Sequence, residues 1–188
     1  MKARRFWLVL QIVCLGIWAG PHSHHAQAEE AQLTEYQLKA LFIYNFAKFI
    51  EWPADAFSSS DEPFVIGIIG ENPFGTSLEE TVRNKMINEH PFVVKRFRQS
   101  PEARRCHILF VAEPEKRVPD LLNGLKTSSV LTVSDMDHFL ELGGMIRLYM
   151  DGKKVRFEIN NEAAKKARLK ISSKLLQLGT KAPRQESK

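Results

Sequence analysis

Two short runs constrain this chain most. Residues 64–69 (FVIGII) and 108–112 (ILFVA) are apolar at every position apart from one glycine. A strand with one wet face alternates apolar and polar residues. A strand apolar on both faces must be covered on both, as in a parallel sheet between helices. The surrounding pattern agrees. A turn at 70–75 leads to a helix at 76–85, and a second strand is expected at 92–97. After the strand from 108 come a helix at 115–126, a strand at 130–133 and a short helix at 135–140 ended by Gly143-Gly144. Strands alternating with helices imply an α/β class. With 188 residues the chain holds one real core and hardly two. The expectation is a single-domain layered α/β sandwich with a mostly parallel central sheet, a C-terminal β-hairpin and flanking helices.

The hairpin follows the second glycine pair. Ile146, Leu148 and Met150 alternate with Arg147 and Tyr149; Val155, Phe157 and Ile159 alternate with Arg156 and Glu158. A two-residue Asp151-Gly152 turn would set Arg147 against Arg156. A turn spanning 151–154 sets Arg147 against Glu158, and cross-strand pairs of opposite charge favour that register. Asn160 then caps a helix running to about Arg168. Residues 169–171 are extended, and Ser172 caps a last helix at 173–178 before Gly179.

The first helix is unusual. Thr34 and Gln37 form a capping box, and Trp52-Pro53 stops the helix after about Ile50. Leu38, Leu41, Phe42, Phe46 and Phe49 cover one side, and Ala40, Ile43, Ala47 and Ile50 cover nearly the opposite one. Only Gln37, Tyr44, Lys48 and Glu51 make a polar stripe. A helix apolar almost all round needs cover on two sides. It is either buried within its own domain or met by a second chain.

Ahead of that helix lies a leader. Lys2, Arg4 and Arg5 precede the apolar run 6–19, and Ala26-Gln27-Ala28 is a small-residue cleavage site. This is the pattern of a secretory signal peptide spanning residues 1–28. The run is short of the ~20 residues that cross a bilayer, which disfavours an uncleaved anchor. Residues 29–33 read as a short N-terminal tail, 34–178 as the domain, and 179–188 as a disordered polar tail. The leader holds three basic residues and no acidic one, so cleavage lowers the net charge from +5 to +2. That balance does not imply a nucleic-acid partner. Cleavage also removes Cys14 and leaves Cys106 alone, as a buried thiol or one half of an intermolecular disulfide.

Few of the residues that could carry chemistry stand in a pattern that would support it. Residues 70–77 have the spacing of a phosphate-binding loop, but Thr76 stands where the essential lysine belongs and Pro73 removes a backbone donor. His90, His107 and His138 lack metal-ligand spacing, so neither a metal nor another cofactor is expected. No nucleophile elbow occurs, and Ser172-Ser173-Lys174 reads as a helix cap. A C-terminal basic cluster of Lys165, Lys166, Arg168, Lys170 and Lys174 is either a solvated face or a contact for an acidic partner or anionic lipid.

Taken together, several motifs resemble one family. They are residues 38–42 (LKALF), 44–49 (YNFAKF) with Glu51-Trp52-Pro53, 64–67 (FVIG), 72–75 (NPFG), 106–110 (CHILF), 143–146 (GGMI), 156–160 (RFEIN) and 169–176 (LKISSKLL). In order and number they resemble the YfiR family (DUF4154) across about 34–178. The resemblance implies a periplasmic, non-enzymatic homodimer. It implies binding to the periplasmic sensor region of an inner-membrane diguanylate cyclase of YfiN type, which is repressed, lowering cyclic di-GMP and biofilm formation. It also implies sequestration by an outer-membrane lipoprotein of YfiB type. Described relatives carry cysteine pairs; here Cys106 has no partner in the mature chain. Two surfaces are expected to carry binding. One is the end of the first helix with Tyr44, Phe46, Phe49 and Trp52. The other is the C-terminal segment with Glu158, Asn160, Lys170, Ile171, Ser172 and Leu175. The alternative is a periplasmic small-ligand sensor acting on another membrane signalling protein, with its cleft at the strand ends near 70–75 and 112–114.

Overall fold

The central sheet has the two covered faces that the apolar runs demand. The structure is a computed structural model that describes residues 33–181. The expected leader and residues 182–188 lie outside the described residues. The elements are α1 (Glu35–Phe49), β1 (Ile50–Glu51), β2 (Phe64–Gly70), α2 (Ser77–Val82), β3 (Met86–Ile87), β4 (His90–Phe97), α3 (Ser100–Ala103), β5 (Ile108–Ala112), α4 (Val118–Leu125), β6 (Leu131–Ser134), β7 (Ile146–Asp151), β8 (Lys154–Ile159), α5 (Asn161–Lys166), β9 (Lys170–Ile171), α6 (Ser173–Leu178) and β10 (Thr180–Lys181). Eight strands form one sheet in the order β10-β8-β7-β6-β5-β2-β4-β3. Its pairs are parallel except β7–β8 and β3–β4. The expected mixed α/β sandwich is therefore the observed class.

Alternation along the strands sorts the side chains into two cores. Phe64, Ile66, Ile68, Ile108, Phe110, Leu131, Val133, Ile146, Leu148 and Phe157 lie on the face crossed by α1. Val65, Ile69, Leu109 and Val111 lie on the other, under Ala103 of α3 and Val118, Leu121, Leu122 and Leu125 of α4. Gly67 is the one gap in the β2 run because Phe97 and the Cys106 sulfur close over it; a Cβ there would overlap the Phe97 ring.

The capping box starts α1 as expected. Gln37 N–H donates to Thr34 Oγ1 at 3.3 Å, and Thr34 N–H donates to Gln37 Oε1 at 2.8 Å. Ala40, Ile43, Phe46 and Ala47 are buried against the sheet. The rings of Phe42 and Phe46 meet Phe157 edge-on at 5.9 and 5.3 Å. The helix is thus buried in its own domain over much of its surface, and Asn45 and Lys48 face solvent. One residue departs from the polar stripe. Lys39 is only 2% exposed. Its Nζ lies 2.6 Å from Asp135 Oδ2 and pairs with Glu35. The Tyr36 hydroxyl donates to the same Asp135 oxygen at 3.0 Å. Burial, reinforced by the Asp135 charge, pushes the Tyr36 phenol up to about 12.

Several boundaries move. The helix expected at 76–85 ends at Val82, because Asn84 turns the chain at φ +56° into β3. Residues 135–140 form turns, not a helix. Asp135 is taken by Lys39, Met136 N–H donates to Ser134 Oγ at 3.2 Å, and His138 sits at φ +61°. The helix expected at 115–126 begins with a 3-10 turn at Glu115–Arg117 before α4. α5 stops at Lys166, with Arg168 at φ +61°. The hairpin has the register expected of a turn at 151–154, with Arg147 opposite Glu158, but Asp151 and Lys154 also pair, so the loop shortens to Gly152-Lys153 with Gly152 at φ +59°. The chain after α6 does not leave the domain at once. Thr180 and Lys181 run parallel to Glu158 and Ile159, where only a glycine at 179 clears Phe157 and Ile159.

Truncating one partner of a buried pair strands the other's charge, at about 3–5 kcal/mol when both are fully buried. Asp135 retains partial exposure. Asp135→Ala is therefore expected to lower unfolding free energy by about 2–3 kcal/mol, measured by urea titration, and Lys39→Met by clearly less.

Candidate partner-binding surface

The two-stranded ribbon β1–β9 is the element that builds the candidate surface. Ile50 pairs with Ile171 and Glu51 with Lys170, antiparallel. Ser172 N–H donates to Phe49 O at 2.9 Å, and Ser172 Oγ accepts from Leu175 N–H at 3.2 Å, starting α6. The Lys174 ammonium lies 5.6 Å from the Phe49 ring centre. The end of α1 and the C-terminal segment, two surfaces in the sequence, thus become one. Phe49, Trp52, Ile171 and Leu176 are half-buried there, among exposed Glu51, Lys170 and Lys174. Leu178 at the end of α6 is 66% exposed.

The remaining expected residues disperse. Phe46 and Leu175 are buried in the core, so neither offers a partner a contact in this conformation. Tyr44 turns toward β4, with Phe92 edge-on at 5.4 Å and the ammonium groups of Lys48 and Lys85 about 4.1 and 4.2 Å from its ring centre. Glu158 is bonded to Arg147 at 3.2 Å, and Arg147 also pairs with Asp137. Asn160 caps α5 by accepting from Ala163 N–H at 3.0 Å, and donates to Leu140 O at 3.4 Å. Glu158 and Asn160 line a separate open groove of about 1550 Å³, on the half of the sheet that α3 and α4 leave uncovered. The C-terminal basic cluster is largely partnered: Lys165 with Glu162 at 2.8 Å, Arg168 with Asp55 at 2.8 Å, and Lys170 with Glu51 at 3.9 Å.

Trp52 is held from beneath by a residue that sequence reasoning weighed only as a metal ligand. His107 is 2% exposed. Its Nδ1 accepts from Val65 N–H at 3.0 Å, so the proton sits on Nε2, which donates to Ala56 O at 3.2 Å. Its carbonyl accepts from Trp52 Nε1 at 3.3 Å. Phe57 stacks on the imidazole at 4.3 Å and on His90 at 4.1 Å, and Phe64 stacks on His107 at 4.6 Å. A histidine opening a buried strand beside a cysteine gives no sequence cue for this role, because its partners are backbone atoms of distant segments. Burial lowers the His107 pKa from 6.5, and Glu62 offsets part of that.

Two further expectations concern Cys106 and the strand ends. Cys106 is buried, and its thiol donates to Ala103 O at 3.0 Å. Burial pushes its pKa far up, which fits the buried thiol, one of the two readings. The proposed ligand cleft at the strand ends is filled. Phe74 is buried between Tyr36 and Phe110, with ring centres 5.5 and 4.7 Å away, and Gly70 at φ +93° lies directly against the Ala112 carbonyl. Asn72 Oδ1 accepts from Phe74 N–H and its Nδ2 donates to Gly75 O, both at 3.0 Å, which uses the loop's polar groups internally. Among the described residues no cluster of three His, Cys, Asp or Glu side chains is placed to hold a metal. No helix among them is long and apolar enough to cross a membrane.

The fold is a layered α/β domain in which the end of α1 and the C-terminal segment share one surface. The chain belongs to the YfiR/HmsC-like family, whose model (DUF4154) matches residues 36–180. That family is one of periplasmic regulators in cyclic di-GMP signalling. The crystal structure of a conserved domain protein from Vibrio cholerae O1 biovar El Tor str. N16961 is similar in fold, with a TM-score of 0.50 at 13% identity over 81% of this chain. The match spans 61% of that protein's chain. No curated protein matches the sequence.

Two outcomes follow from the buried residues. Native protein is expected to leave Cys106 unmodified by a thiol reagent, with full reaction only in denaturant. For His107 the folded pKa lies below the unfolded one, so the unfolded chain binds the extra proton first as pH falls. Its contribution to stability is complete above pH 6.5 and is lost as pH falls from there through the folded pKa. Urea titrations at stepped pH should show that decline, and His107→Gln should flatten it.

Proposed function

We propose that this protein is exported by a cleaved leader (1–28) and represses an inner-membrane diguanylate cyclase by binding its periplasmic sensor region, through the domain at 34–178. Cyclic di-GMP and biofilm formation fall as a result. The observation that carries this reading is the ribbon surface, where Phe49, Lys170, Ile171 and Ser172 lie together at the junction of α1 and α6, with Trp52 following β1 directly in the chain. Interfaces favour aromatic and apolar anchors inside a polar rim. Here the half-buried rings supply the anchors, and Glu51, Lys170 and Lys174 supply the rim. The family to which the chain belongs supports the signalling role.

Repression requires binding to discriminate between cyclase states. Moving an equilibrium from almost wholly active to almost wholly inactive takes about a 10⁴-fold difference in affinity, or ~5.5 kcal/mol. One interface of ordinary size can supply that. In this reading the protein acts as a homodimer, and an outer-membrane lipoprotein of YfiB type releases the cyclase by sequestering it.

Intracellular cyclic di-GMP in a strain lacking the chain tests the proposal. The level is expected to rise on deletion. It should return with the full chain and stay high with a version lacking residues 1–28. Lys170→Glu/Lys174→Glu, folded and exported at normal levels, should restore repression poorly. An unchanged level on deletion, with the chain normally expressed and exported, would sink the proposal.

A further inference from the structure

We infer that the corner formed by β4 and α3 is a second docking surface, and that its ligand is an extended acidic segment of another protein, added as a strand to the open edge of β4. This inference stands apart from the cyclase reading, because none of its residues belongs to the ribbon surface.

The first observation is an edge. β4 runs from His90 to Phe97, but its outer neighbour β3 covers only His90 and Pro91. Phe92 directs its N–H outward to Lys85 O at 3.2 Å. By the two-residue period of a strand, Val94 and Arg96 also direct their backbone groups outward. Neither N–H has a partner among the described residues. The inner side of the strand is fully paired with β2 from Phe92 to Phe97. An unpaired strand edge is a template for another strand.

The second observation is charge. Lys95, Arg96, Arg98, Arg104 and Arg105 gather at this corner, all exposed. Arg104 spends its Nε–H on Gly124 O at 2.9 Å. Lys95, Arg96, Arg98 and Arg105 take part in no ion pair among the described residues. Glu102 is the carboxylate at the site, and it receives the Arg98 N–H at 3.4 Å. Lys95, Arg96, Phe97, Pro101, Glu102 and Arg105 line a depression of about 510 Å³ beside the edge. The contrast with the C-terminal basic cluster is direct. There the cations are largely matched by Asp55, Glu51 and Glu162. Here they are not.

Charge selects the occupant. A second copy presenting the same edge would set Lys95 and Arg96 against their own kind. Lys95 and Arg96 project to opposite faces, so an alternating acidic strand would set its carboxylates on the face of Lys95, beside Arg105, and its apolar side chains on the other. The half-buried Phe92 and Val94, on the face opposite Lys95, offer apolar contact for the alternate side chains.

The test uses the full mature chain and a labelled Val-Glu-Val-Glu-Val-Glu peptide, with Val-Lys-Val-Lys-Val-Lys as control and phosphatidylglycerol vesicles as a separate arm. The acidic peptide should bind, weaken with added salt, and slow hydrogen exchange at the Val94 and Arg96 amides. Lys95→Glu/Arg105→Glu, with unchanged melting temperature, should raise its Kd by about tenfold or more. Equal binding of the lysine peptide would overturn the inference, and this arm needs no variant. So would no peptide binding, vesicle binding alone, self-association through this edge, or peptide binding that leaves both amides unprotected.

Discussion

One face of this domain depends on α1 lying flat across the sheet. The helix supplies Ala40, Ile43, Phe46 and Ala47 to the larger core, and those side chains have no other cover. It is tied at both ends by different chemistry. Near its start, Lys39 and Tyr36 meet Asp135 at the end of β6. At its finish, the backbone runs into β1 and pairs with β9. A buried ammonium is costly unless paired, and the pairing sets the helix register over the strand ends. The two ties decide where Phe49 and Trp52 emerge.

The same geometry closes the strand ends. The crevice where open α/β sheets usually receive ligands lies at the carboxyl ends of their strands. Here that end is occupied by Tyr36, Phe74 and the Lys39–Asp135 pair. The exposed features lie elsewhere: a ribbon at the junction of α1 and α6, a groove over the hairpin, and a basic edge at β4. Each arises where a helix fails to cover the sheet or where a short strand fails to reach its neighbour's full length. The groove is the clearest case. From β6 outward that face carries Thr132, Arg147 and Glu158, and Leu122, Leu125 and Leu140 border the groove beside them.

Burial explains why single residues proved less informative than patterns. Phe46 and Leu175 have the composition of interface anchors, and so do core residues; sequence does not distinguish a ring facing a partner from one facing Phe157. Cys106 and His107 look reactive as residue types. Their neighbours, Ala103 O, Val65 N–H and Ala56 O, make both structural. Charge clusters behave alike. Lys165, Arg168 and Lys170 are close in the chain and visible as a patch, yet their partners come from α5 itself, from β1 and from the segment that follows β1.

What the sequence determined by itself were the local and periodic features. The capping boxes and caps at Thr34, Asn160 and Ser172, the doubly buried strands, and the hairpin register set by Arg147 and Glu158 all depend on nearby residues or one cross-strand pair. Tertiary structure alone decided the rest. Short strands such as β1, β9 and β10 carry too few residues for a periodic signal, and each exists because a segment remote in the chain or a separate element completes its hydrogen bonds. The turn at residues 135–140 replaced an expected helix because a buried lysine from α1 claims Asp135. The candidate surface joins residues near 50 to residues near 171 for the same reason: backbone pairing between remote segments is a property of the fold, and no local preference announces it.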